Sequence, residues 1–434
     1  MHVQHAHLMG KNLIVESKKF LKMKSKIFTM FNSSTKEKKM NKNTMILVIN
    51  AGSSSIKFKV YQTNNYEVLA SGQCEKISNP IGIFSFKSKE VHKEENISIP
   101  NHETGVNLIL NALKKHNIIP DFKLIKGIGH RIVMGGRKYL NSAIVNEKVI
   151  KDLVDYYPLV PLHNPPEVDT IKTFQSLLPN TPNVVVFDTS FHTTIPDYNQ
   201  YALSDDIVKK YQIYRYGFHG TSYRYITEQM QKILNKKDVN LVVCHLGNGA
   251  SVCAIEHSKS IDTSMGLTPL EGLVMGTRCG DIDPSVVTYL IRQGFKPNEV
   301  DDLLNKKSGL KGMCGTNDFR EINANIDKGD MKALKAAIMF TKRVAKYIVQ
   351  YINELQNNVD GIVFTGGIGE NDLQTIQNIL NNLHVINTSL DYKALKEKLV
   401  DYKLISSKFA TCPIYIIRTN EELMIAHDVN SLVN

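Results

Sequence analysis

The protein has 434 residues, of which 42% are hydrophobic and 22% are charged. This balance is typical of a globular protein of two or three domains, and no stretch approaches the ~18 uninterrupted apolar residues that a membrane-spanning helix needs. The six cysteines are scattered and include no Cys-x-x-Cys pair, which argues against a zinc site or a secreted disulfide framework, so we expect most of them to be reduced core residues.

Most of the net charge of +11 belongs to the N-terminal segment. Residues 1–44 contain ten lysines and two glutamates, without arginine or aspartate, so they carry +8 and leave +3 for residues 45–434. The small remainder fits an enzyme of anionic substrates and requires neither nucleic acid nor a membrane as partner. The segment also lacks the pattern of a secretory signal. We expect a cytoplasmic protein whose residues 1–44 are disordered, or are read in error upstream of a start at Met40 or Met45.

Strands and helices are predicted to alternate from residue 45 onward. The apolar run 45–49 predicts a buried strand that ends in the small polar turn 50–55 and resumes over 56–61 as a hairpin. A second such hairpin is predicted at 241–255, and a strand at 362–364 leads into a glycine-rich turn at 365–371 and a helix over 373–383. Further strands are predicted at 183–187 and 413–417, and further helices at 146–156, 165–177, 285–293, 331–355 and 420–429. This alternation is typical of an α/β protein.

The hairpins at 45–61 and 241–255 form a weak internal repeat. Such a duplication predicts two related α/β halves that face one another across a cleft, and clefts between domains are common ligand sites. We expect an N-terminal α/β domain over 45–190, with the last helix, 421–434, packing back on it. The second domain, which would bind the nucleotide, is expected over 191–420.

The two commonest nucleotide-binding motifs are missing. The only Gly-Lys pair is at residues 10–11, so there is no Walker A loop, and no Gly-x-Gly-x-x-Gly is present. Tight turns of Gly, Ser and Asn bind phosphate in another way, because their closely spaced backbone N–H groups converge on an anion. One such turn is more often only a turn. Three of them, at 50–55, 245–251 and 365–371, each directly after an apolar strand, favour a phosphate-binding protein.

Four polar side chains are candidates for the chemistry of such a site. Arg131 and Arg278 have glycines nearby in the sequence, and an arginine fork matches carboxylate or phosphoryl oxygens. We expect both arginines to be exposed in loops, and the alternative for each is a structural ion pair. Asp188 follows a predicted strand, where α/β sites collect, with a helix cap as its alternative. His219 lies in a glycine turn, where histidine often serves only as a hydrogen-bonding residue of a loop.

Seven phrases of sequence occur in a single order along residues 45–434. They are 50–57 (Asn-Ala-Gly-Ser-Ser-Ser-Ile-Lys), 161–165 (Pro-Leu-His-Asn-Pro), 187–192 (Phe-Asp-Thr-Ser-Phe-His), 217–222 (Gly-Phe-His-Gly-Thr-Ser), 245–284, 367–371 (Gly-Ile-Gly-Glu-Asn) and 419–422 (Thr-Asn-Glu-Glu). Together they resemble the acetate kinase family. The resemblance implies the duplicated two-domain fold of the actin, sugar-kinase and heat-shock-chaperone superfamily, with ATP and substrate in the interdomain cleft. It implies reversible, Mg-ATP-dependent phosphorylation of acetate to acetyl phosphate, as in acetyl-CoA biosynthesis, by a homodimer.

The resemblance also implies a role for each residue that matches the family's motifs. The residues around the transferring group would be Arg131, Asp188 as the essential acid, His219 and Arg278. A Mg²⁺ ion, with Mn²⁺ as a substitute, would be held by Asn50 and Glu421. The phosphates would be assisted by Ser53, Ser55 and Lys57. The acetate pocket would comprise Val133, Leu162, Phe218 and Pro269 beside Arg131.

The ATP-binding residues implied by the resemblance fall in three segments of the second half. They are His245, Leu246, Gly247, Asn248 and Gly249, then Asp318, Phe319 and Arg320, then Gly367, Ile368, Gly369, Glu370 and Asn371. A carboxylate acceptor is already ionised at neutral pH, so no general base is needed and direct in-line transfer is expected. In this mechanism Asp188 would orient Mg²⁺ or an arginine, and His219 would donate a hydrogen bond.

The chain departs from the family's pattern at four positions. Histidine is common at the positions of Met134 and Tyr223, alanine at Gly366 and proline at Arg418. Met134 adjoins the expected acyl pocket, so a propionate or butyrate kinase is the nearest alternative function. The alternative of another class is a nucleotide-gated ATPase or binding module without an acyl acceptor, for which Arg131, Arg278 and the small pocket would have no use.

Overall fold

The computed structural model describes residues 44–161 and 163–433. The first of its two sheets has eight strands in the order β5-β4-β3-β2-β1-β6-β8-β7. These strands are β1 (Met45–Gly52), β2 (Ser55–Gln62), β3 (Val68–Glu75), β4 (Gly82–Ser88), β5 (His92–Ile97), β6 (Ile125–Ile132), β7 (Ala143–Ile144) and β8 (Asn183–Phe187). The expectation for residues 1–44 lies, apart from Thr44, outside the described residues, as does Leu162 of the expected acetate pocket.

The second sheet has six strands in the order β11-β10-β9-β12-β14-β13. These strands are β9 (Leu241–Leu246), β10 (Ala250–Glu256), β11 (Lys259–Thr263), β12 (Gly361–Thr365), β13 (Tyr402–Leu404) and β14 (Ile414–Ile417). Its central strands are buried over most of their length, as expected for a sheet covered on both faces.

Both sheets contain the same five-strand pattern. In the first, β3, β2 and β1 are antiparallel neighbours, and β6 and β8 follow β1 in parallel. In the second, β11, β10 and β9 are antiparallel neighbours, and β12 and β14 follow β9 in parallel. The predicted hairpins β1–β2 and β9–β10 therefore occupy equivalent places. The predicted duplicated α/β fold is confirmed.

Several helices pack on the sheets, whereas Ser285–Arg292 buries none of its residues. The described part of the chain contains fourteen α-helices. They are α1 (His102–Lys115), α2 (Glu147–Asp155), α3 (Asn164–Leu177), α4 (Asp205–Tyr211), α5 (Gly220–Leu234), α6 (Ser285–Arg292), α7 (Pro297–Lys306), α8 (Gly309–Cys314), α9 (Phe319–Asp327), α10 (Met331–Glu354), α11 (Gly366–Asn371), α12 (Leu373–Leu380), α13 (Tyr392–Lys396) and α14 (Glu421–Leu432). Short 3₁₀ helices lie at Phe122–Leu124, Ser190–Thr194 and Asp197–Asn199.

The last helix, α14, packs on the first sheet because two glycines of β6 let it approach. A Cβ atom at Gly129 would lie 2.4 Å from Cγ2 of Ile425, and one at Gly127 would lie 2.7 Å from Cγ1 of Val429. Any larger residue on this face of β6 would push the helix away. The chain thus returns to the first sheet after completing the second, which brings Glu421, at the start of α14, back to the N-terminal half.

Two local expectations differ from the structure. Arg131 is not in an exposed loop: it lies in β6, and its side chain is 23% exposed. The segment 366–371 is not an open turn but the short helix α11, which begins at Gly366 with φ of 80°. Glu370 closes this helical turn, because its carboxylate accepts from the Gly366 N–H at 3.0 Å and from the Thr365 hydroxyl at 3.3 Å.

The cysteines fit the expectation that most of them are reduced core residues. All six cysteines are free, and Cys74, Cys244, Cys253 and Cys412 are buried. None of the helices within the described ranges combines the length and the apolar character needed to cross a membrane.

Candidate active site

Arg131 and Asp188 meet at the carboxyl ends of two neighbouring parallel strands. Strands β6 and β8 pair in parallel with Ile132 opposite Phe187, and Asp188 directly follows β8. Nε of Arg131 donates to Oδ1 of Asp188 at 3.2 Å, and Nη2 donates to Oδ2 at 2.6 Å. These bonds form the planar fork that a guanidinium makes with a carboxylate. The Asp188 carboxylate therefore fixes the orientation of Arg131.

Carboxylates of the protein neutralise the charge of Arg131. Burial by itself lowers the pKa of Arg131, but Asp188, Glu421 and Glu167 outweigh it and raise that pKa above its ordinary value. Burial raises the pKa of Glu421; Arg131 opposes this rise and repulsion by Asp188 adds to it. Arg131 also donates to Oδ1 of Asn50, at the end of β1, at 3.4 Å. The site thus holds one arginine within a cluster of oxygen atoms.

Arg278, in contrast, carries an uncompensated charge. Within residues 44–161 and 163–433 it has no carboxylate partner: Nη1 donates to the Pro269 carbonyl at 3.3 Å and contacts Sδ of Met275 at 3.8 Å. Burial, reinforced by repulsion from Arg131, lowers the pKa of Arg278. A half-buried cation without a counter-ion is electrostatically costly until an anion binds, so this position favours an anionic ligand.

The loop that carries Arg278 is fastened to the β9–β10 hairpin through Asn248. The Gly276 N–H donates to the Asn248 carbonyl at 3.0 Å, and a Cβ atom at Gly276 would lie 1.9 Å from Oδ1 of Asn248. Glycine is therefore required for this close approach. The same Oδ1 accepts from Nδ2 of Asn317 at 2.7 Å. Asn248 thus joins three segments that are distant in sequence.

His219 is held in an unusual backbone conformation beside Asp188. Its φ of 59° lies in the left-handed region, where a residue with a side chain is strained and such strain clusters at functional sites. The following Gly220 N–H donates to the Asp188 carbonyl at 2.9 Å, which ties the start of α5 to the end of β8. The imidazole stacks on His245 with centroids 4.3 Å apart. Burial, with His245 and both arginines adding to it, lowers the pKa of His219 well below its ordinary value, so the ring is neutral.

A cavity of about 520 Å³ opens beside Arg278. The β1–β2 hairpin forms one wall through Gly52, Ser53 and its neighbouring serines, and helix α7 forms another. An apolar part of the lining comes from Leu159, Val160, Pro161, Pro269 and Leu270. Of the expected acetate-pocket residues, Pro269 lines this cavity, whereas Val133 and Phe218 lie in the adjoining hydrophobic core with Val160.

A second cavity, of about 660 Å³, contains parts of all three segments expected to bind ATP. Its lining residues are Gly247, Asn248, Asn317, Asp318, Phe319, Arg320, Gly367, Ile368, Asn371 and Asp372. Asn248 lines both this cavity and the one beside Arg278. Two spaces therefore adjoin at the tip of the β9–β10 hairpin, one with an uncompensated arginine and one built from three glycine- and asparagine-bearing segments.

Several predicted residues lie outside these cavities. Lys57, on β2, lines a separate groove of about 290 Å³ with Lys59 and Glu422. His245 and Leu246 are residues of strand β9: Leu246 is buried, and Nδ1 of the half-buried His245 lies 2.9 Å from Oγ of Ser222. Gly369 is buried in α11, and the Glu370 carboxylate accepts from the Gly366 N–H at the start of that helix. Neither residue lines the second cavity.

Oxygen ligands suited to magnesium converge near Arg131. Among the described residues, no group of three or more histidine, cysteine, aspartate or glutamate side chains could hold a metal ion by itself. Mg²⁺ usually needs only one or two protein carboxylates, with water and phosphate oxygens completing its coordination. The Asn50 amide and the Glu421 carboxylate both interact with Arg131. Repulsion among the carboxylates here also favours a cation, so these residues fit a magnesium ion shared with phosphate.

Sequence reasoning missed four residues that surround the predicted ones. Glu167 is buried and accepts from the Val133 N–H at 3.2 Å. His163 lines the cavity beside Arg278, and burial, together with the two arginines, lowers its pKa to about 4. Ser251 and Tyr223 contact one another behind His219. Three of them carried a sequence signal, since His163 and Ser251 lie within the 161–165 and 245–284 phrases and Tyr223 is one of the departures from the family's pattern, whereas Glu167 carried none.

Comparison with known proteins identifies the family. Residues 45–427 match the acetokinase family. An acetate kinase of Mycoplasmoides gallisepticum is 48% identical over 393 residues, which cover 90% of this chain and 99% of that protein. An acetate kinase of Mycoplasma pneumoniae is 45% identical over 391 residues, which cover 90% of this chain and 98% of that protein.

Solved structures give the same result. The crystal structure of Porphyromonas gingivalis acetate kinase has a TM-score of 0.84 at 36% identity and covers 90% of this chain and 100% of its own. That of a propionate kinase from Francisella tularensis has a TM-score of 0.84 at 39% identity and covers 89% of this chain and 98% of its own. The chain belongs to the acetokinase family.

Proposed function

We propose that this protein transfers the γ-phosphoryl group of Mg-ATP to acetate and catalyses the reverse reaction. The observation that carries the proposal is the junction of the two cavities at Asn248. ATP bound in the larger cavity would direct its terminal phosphate toward the smaller cavity. There the positive charge of Arg278, which is not compensated by a carboxylate among the described residues, would bind it. Phosphoryl transfer depends mainly on such positioning and on charge stabilisation.

The two arginines then have different tasks. Arg278 would neutralise the charge that spreads over the transferring phosphoryl oxygens, because its own charge has no carboxylate partner among the described residues. Arg131 would present its remaining N–H groups to the acyl phosphate from a fixed orientation, since Asp188 occupies the other edge of its guanidinium. His219, neutral and stacked on His245, would donate a hydrogen bond to the same group.

Mg²⁺, or Mn²⁺ in its place, would be held by Asn50 and Glu421. When bound, the ion would neutralise phosphate charge and orient the polyphosphate chain. The acetate carboxylate is the nucleophile and is ionised at neutral pH. No side chain of the protein therefore needs to remove a proton from it. Asp188 is already engaged by Arg131 and is better suited to orientation than to proton transfer.

A propionate kinase remains the second candidate, because one similar solved structure bears that name. The cavity beside Arg278 favours a short acid: its apolar residues belong to the 159–161 and 269–270 loops, and the Val133 and Phe218 side chains are held in the adjoining core. The cytoplasm, where ATP is plentiful, is our proposed location, and the free cysteines fit its reducing conditions.

A homodimer is proposed from the surface of α6. This helix buries none of its residues, yet Val286, Tyr289 and Ile291 on it are apolar and exposed, as is Phe295 just beyond it. Large apolar side chains left exposed on one helix are typical of a surface that another protein covers. We infer that a second copy of the chain covers it. Sedimentation of the protein and of Tyr289→Glu checks this, since the charged variant should be monomeric and folded, with a melting temperature that no longer depends on protein concentration.

Formation of acetyl hydroxamate from acetate, ATP and hydroxylamine tests the proposed activity. Parallel reactions with propionate, butyrate and no acid rank the acceptors. ATP hydrolysis at the same rate in all four, without hydroxamate, would instead identify the nucleotide-gated ATPase. Preference for propionate would favour the second candidate.

A further inference from the structure

A chain of two hydroxyl groups lies behind His219. Nδ1 of His219 is 2.9 Å from Oγ of Ser251, and the same Oγ is 2.5 Å from the Tyr223 hydroxyl. Ser251 lies on β10, and Tyr223 lies one turn after His219 on α5. The side chains of Ser251 and Tyr223 are fully buried. No solvent therefore competes for these hydrogen bonds.

The chemistry of the three groups gives the chain a direction. A phenol is more acidic than an aliphatic alcohol and so is the stronger donor, which makes Tyr223 donate to Ser251. An imidazole nitrogen with a free lone pair is a better acceptor than a phenol oxygen, which makes Ser251 donate to Nδ1 of His219. Thr263 also lies beside the phenol; because its hydroxyl donates to the Val252 carbonyl at 3.1 Å, it could only accept the phenol hydrogen, but the hydrogen bond that Tyr223 makes, at 2.5 Å, is to Ser251. Hydrogen bonds that run in one direction strengthen one another.

Whether Nδ1 of His219 accepts or donates a hydrogen bond determines whether Nε2 carries a hydrogen. Because the ring is neutral, it carries one hydrogen, and a nitrogen that accepts at Nδ1 leaves that hydrogen on Nε2. Nε2 of His219 and Nη1 of Arg278 face the same point of the β9–β10 turn, since a Cβ atom at Gly249 would lie 3.6 and 3.4 Å from them. A hydrogen at Nε2 therefore gives two donors directed at one place, whereas a lone pair there would repel phosphoryl oxygens.

We propose that Tyr223 is a positioning residue that acts through Ser251 to keep the hydrogen of His219 on Nε2, where it donates to the transferring phosphoryl group. The inference rests on the proposed phosphoryl transfer for its consequence, but the position of the hydrogen is a property of the free protein. Tyr223 stands where histidine is common in the family, so the phenol donor is a feature of this chain.

The ¹⁵N chemical shifts of the His219 ring test the position of the hydrogen without substrate. Protein labelled with [¹⁵N]histidine, with the signal assigned by loss in His219→Gln, should show a hydrogen on Nε2 and none on Nδ1. A hydrogen on Nδ1 in the unmodified protein would overturn the proposal. If the hydrogen is on Nε2 but no acetyl phosphate forms, the proposed function fails while the arrangement of the hydrogen bonds stands.

Tyr223→Phe tests the contribution of the phenol. Ser251 can then accept from His219, so the Nδ1–H form should appear in the ¹⁵N spectrum. One neutral hydrogen bond shifts the ratio of the two ring forms about fivefold, so kcat should fall by up to about fivefold, with the KM values for acetate and ATP unchanged. Tyr351→Phe is the matched control, because Tyr351 is equally buried and its hydroxyl has no partner among the described residues.

Ser251→Ala provides a second variant should the phenylalanine variant fold poorly. It removes the only side-chain partner of Nδ1 within the described residues, and it should likewise lower kcat with little change in KM. If the ¹⁵N shifts and kcat of both variants are unchanged, as expected for Tyr351→Phe, then the two hydroxyl groups serve only packing in the core. That result would overturn the proposal. Loss of kcat with an unchanged tautomer would also contradict it.

Discussion

Asp188 engages two of the three nitrogen atoms of the Arg131 guanidinium, at 3.2 and 2.6 Å, and is itself 1% exposed. Arg278, across the same site, has no such carboxylate within residues 44–161 and 163–433. The two arginines were equivalent candidates in the sequence, but this difference separates what their loss would do.

Arg278→Ala should lower kcat by about 10²-fold or more, because a donor directed at developing phosphoryl charge is lost. Its melting temperature should be unchanged or higher, since removal of an uncompensated, half-buried charge relieves a desolvation cost. Arg278→Lys should recover only part of the activity, because an ammonium group lacks the fork geometry. Steady-state kinetics in both directions with a melting curve for each variant is the measurement. A large fall in melting temperature with near-normal kcat would show that Arg278 is structural.

Arg131→Ala should lose both activity and stability. The Asp188 carboxylate would remain buried without its partner, which costs about 3–5 kcal/mol in the free energy of unfolding. An equal effect in Arg137→Ala, whose ion pair with Asp197 is long (3.8 Å) and exposed, would contradict this interpretation. Denaturant unfolding of both variants provides the comparison.

Glu167→Gln should flatten the dependence of stability on pH. Burial raises the pKa of Glu167 to about 8 from its ordinary value of 4.5. The folded protein therefore binds this proton more tightly than the unfolded chain, so the stabilisation is complete below about pH 4.5 and is lost as the pH rises through about 8. The glutamine amide keeps an oxygen that can accept from the Val133 N–H. Between about pH 5 and pH 8 the unmodified protein should lose stability relative to the variant, and parallel melting curves across that range would refute the prediction.

Propionate should react, about 10- to 200-fold less efficiently than acetate, because one additional methylene must displace part of a small apolar wall. Val133→Ala should narrow that gap by loosening the core behind the wall. The ratio of kcat/KM for the two acids, in both proteins, is the measurement. A preference for butyrate in the unmodified protein would exclude acetate as the principal acceptor.

Removal of residues 1–43 should leave activity and melting temperature intact. Strand β1 begins at Met45, and the family match begins there too. Thr44 is worth keeping, because its carbonyl accepts from the Thr63 N–H at 3.1 Å and from the Thr63 hydroxyl at 3.0 Å. A second truncation that also removes Thr44 should be slightly less stable. An insoluble or inactive 44–434 protein would show that the segment contributes to the fold.

Local patterns in the sequence predicted about half of the described strands and helices, namely β1, β2, β8, β9, β10, β12 and β14 with α2, α3, α6, α10, α12 and α14. Apolar runs that end in Gly, Ser and Asn identified the hairpins β1–β2 and β9–β10, because strand alternation and turn residues act over a few positions. The family motifs then identified Arg131, Asp188, His219 and Arg278 as neighbours. Helices α1, α4, α5, α7, α8, α9, α11 and α13 were not predicted; α11 was interpreted as a turn because glycine disfavours helices, but here Glu370 closes the helical turn.

The electrostatic roles of these residues were decided only by the tertiary structure. Arg131 and Asp188 are far apart in the chain and meet because β6 and β8 are parallel neighbours with one particular register. Within the part of the chain that the structure describes, Arg278 has no carboxylate partner because of the groups that the fold places around its loop, and no local sequence pattern predicts which groups those are. The hydroxyl chain from Tyr223 to His219 likewise needs β10 to pass behind α5. Strands and turns follow from local sequence, whereas pairing, burial and charge depend on long-range packing, which sequence spacing does not specify.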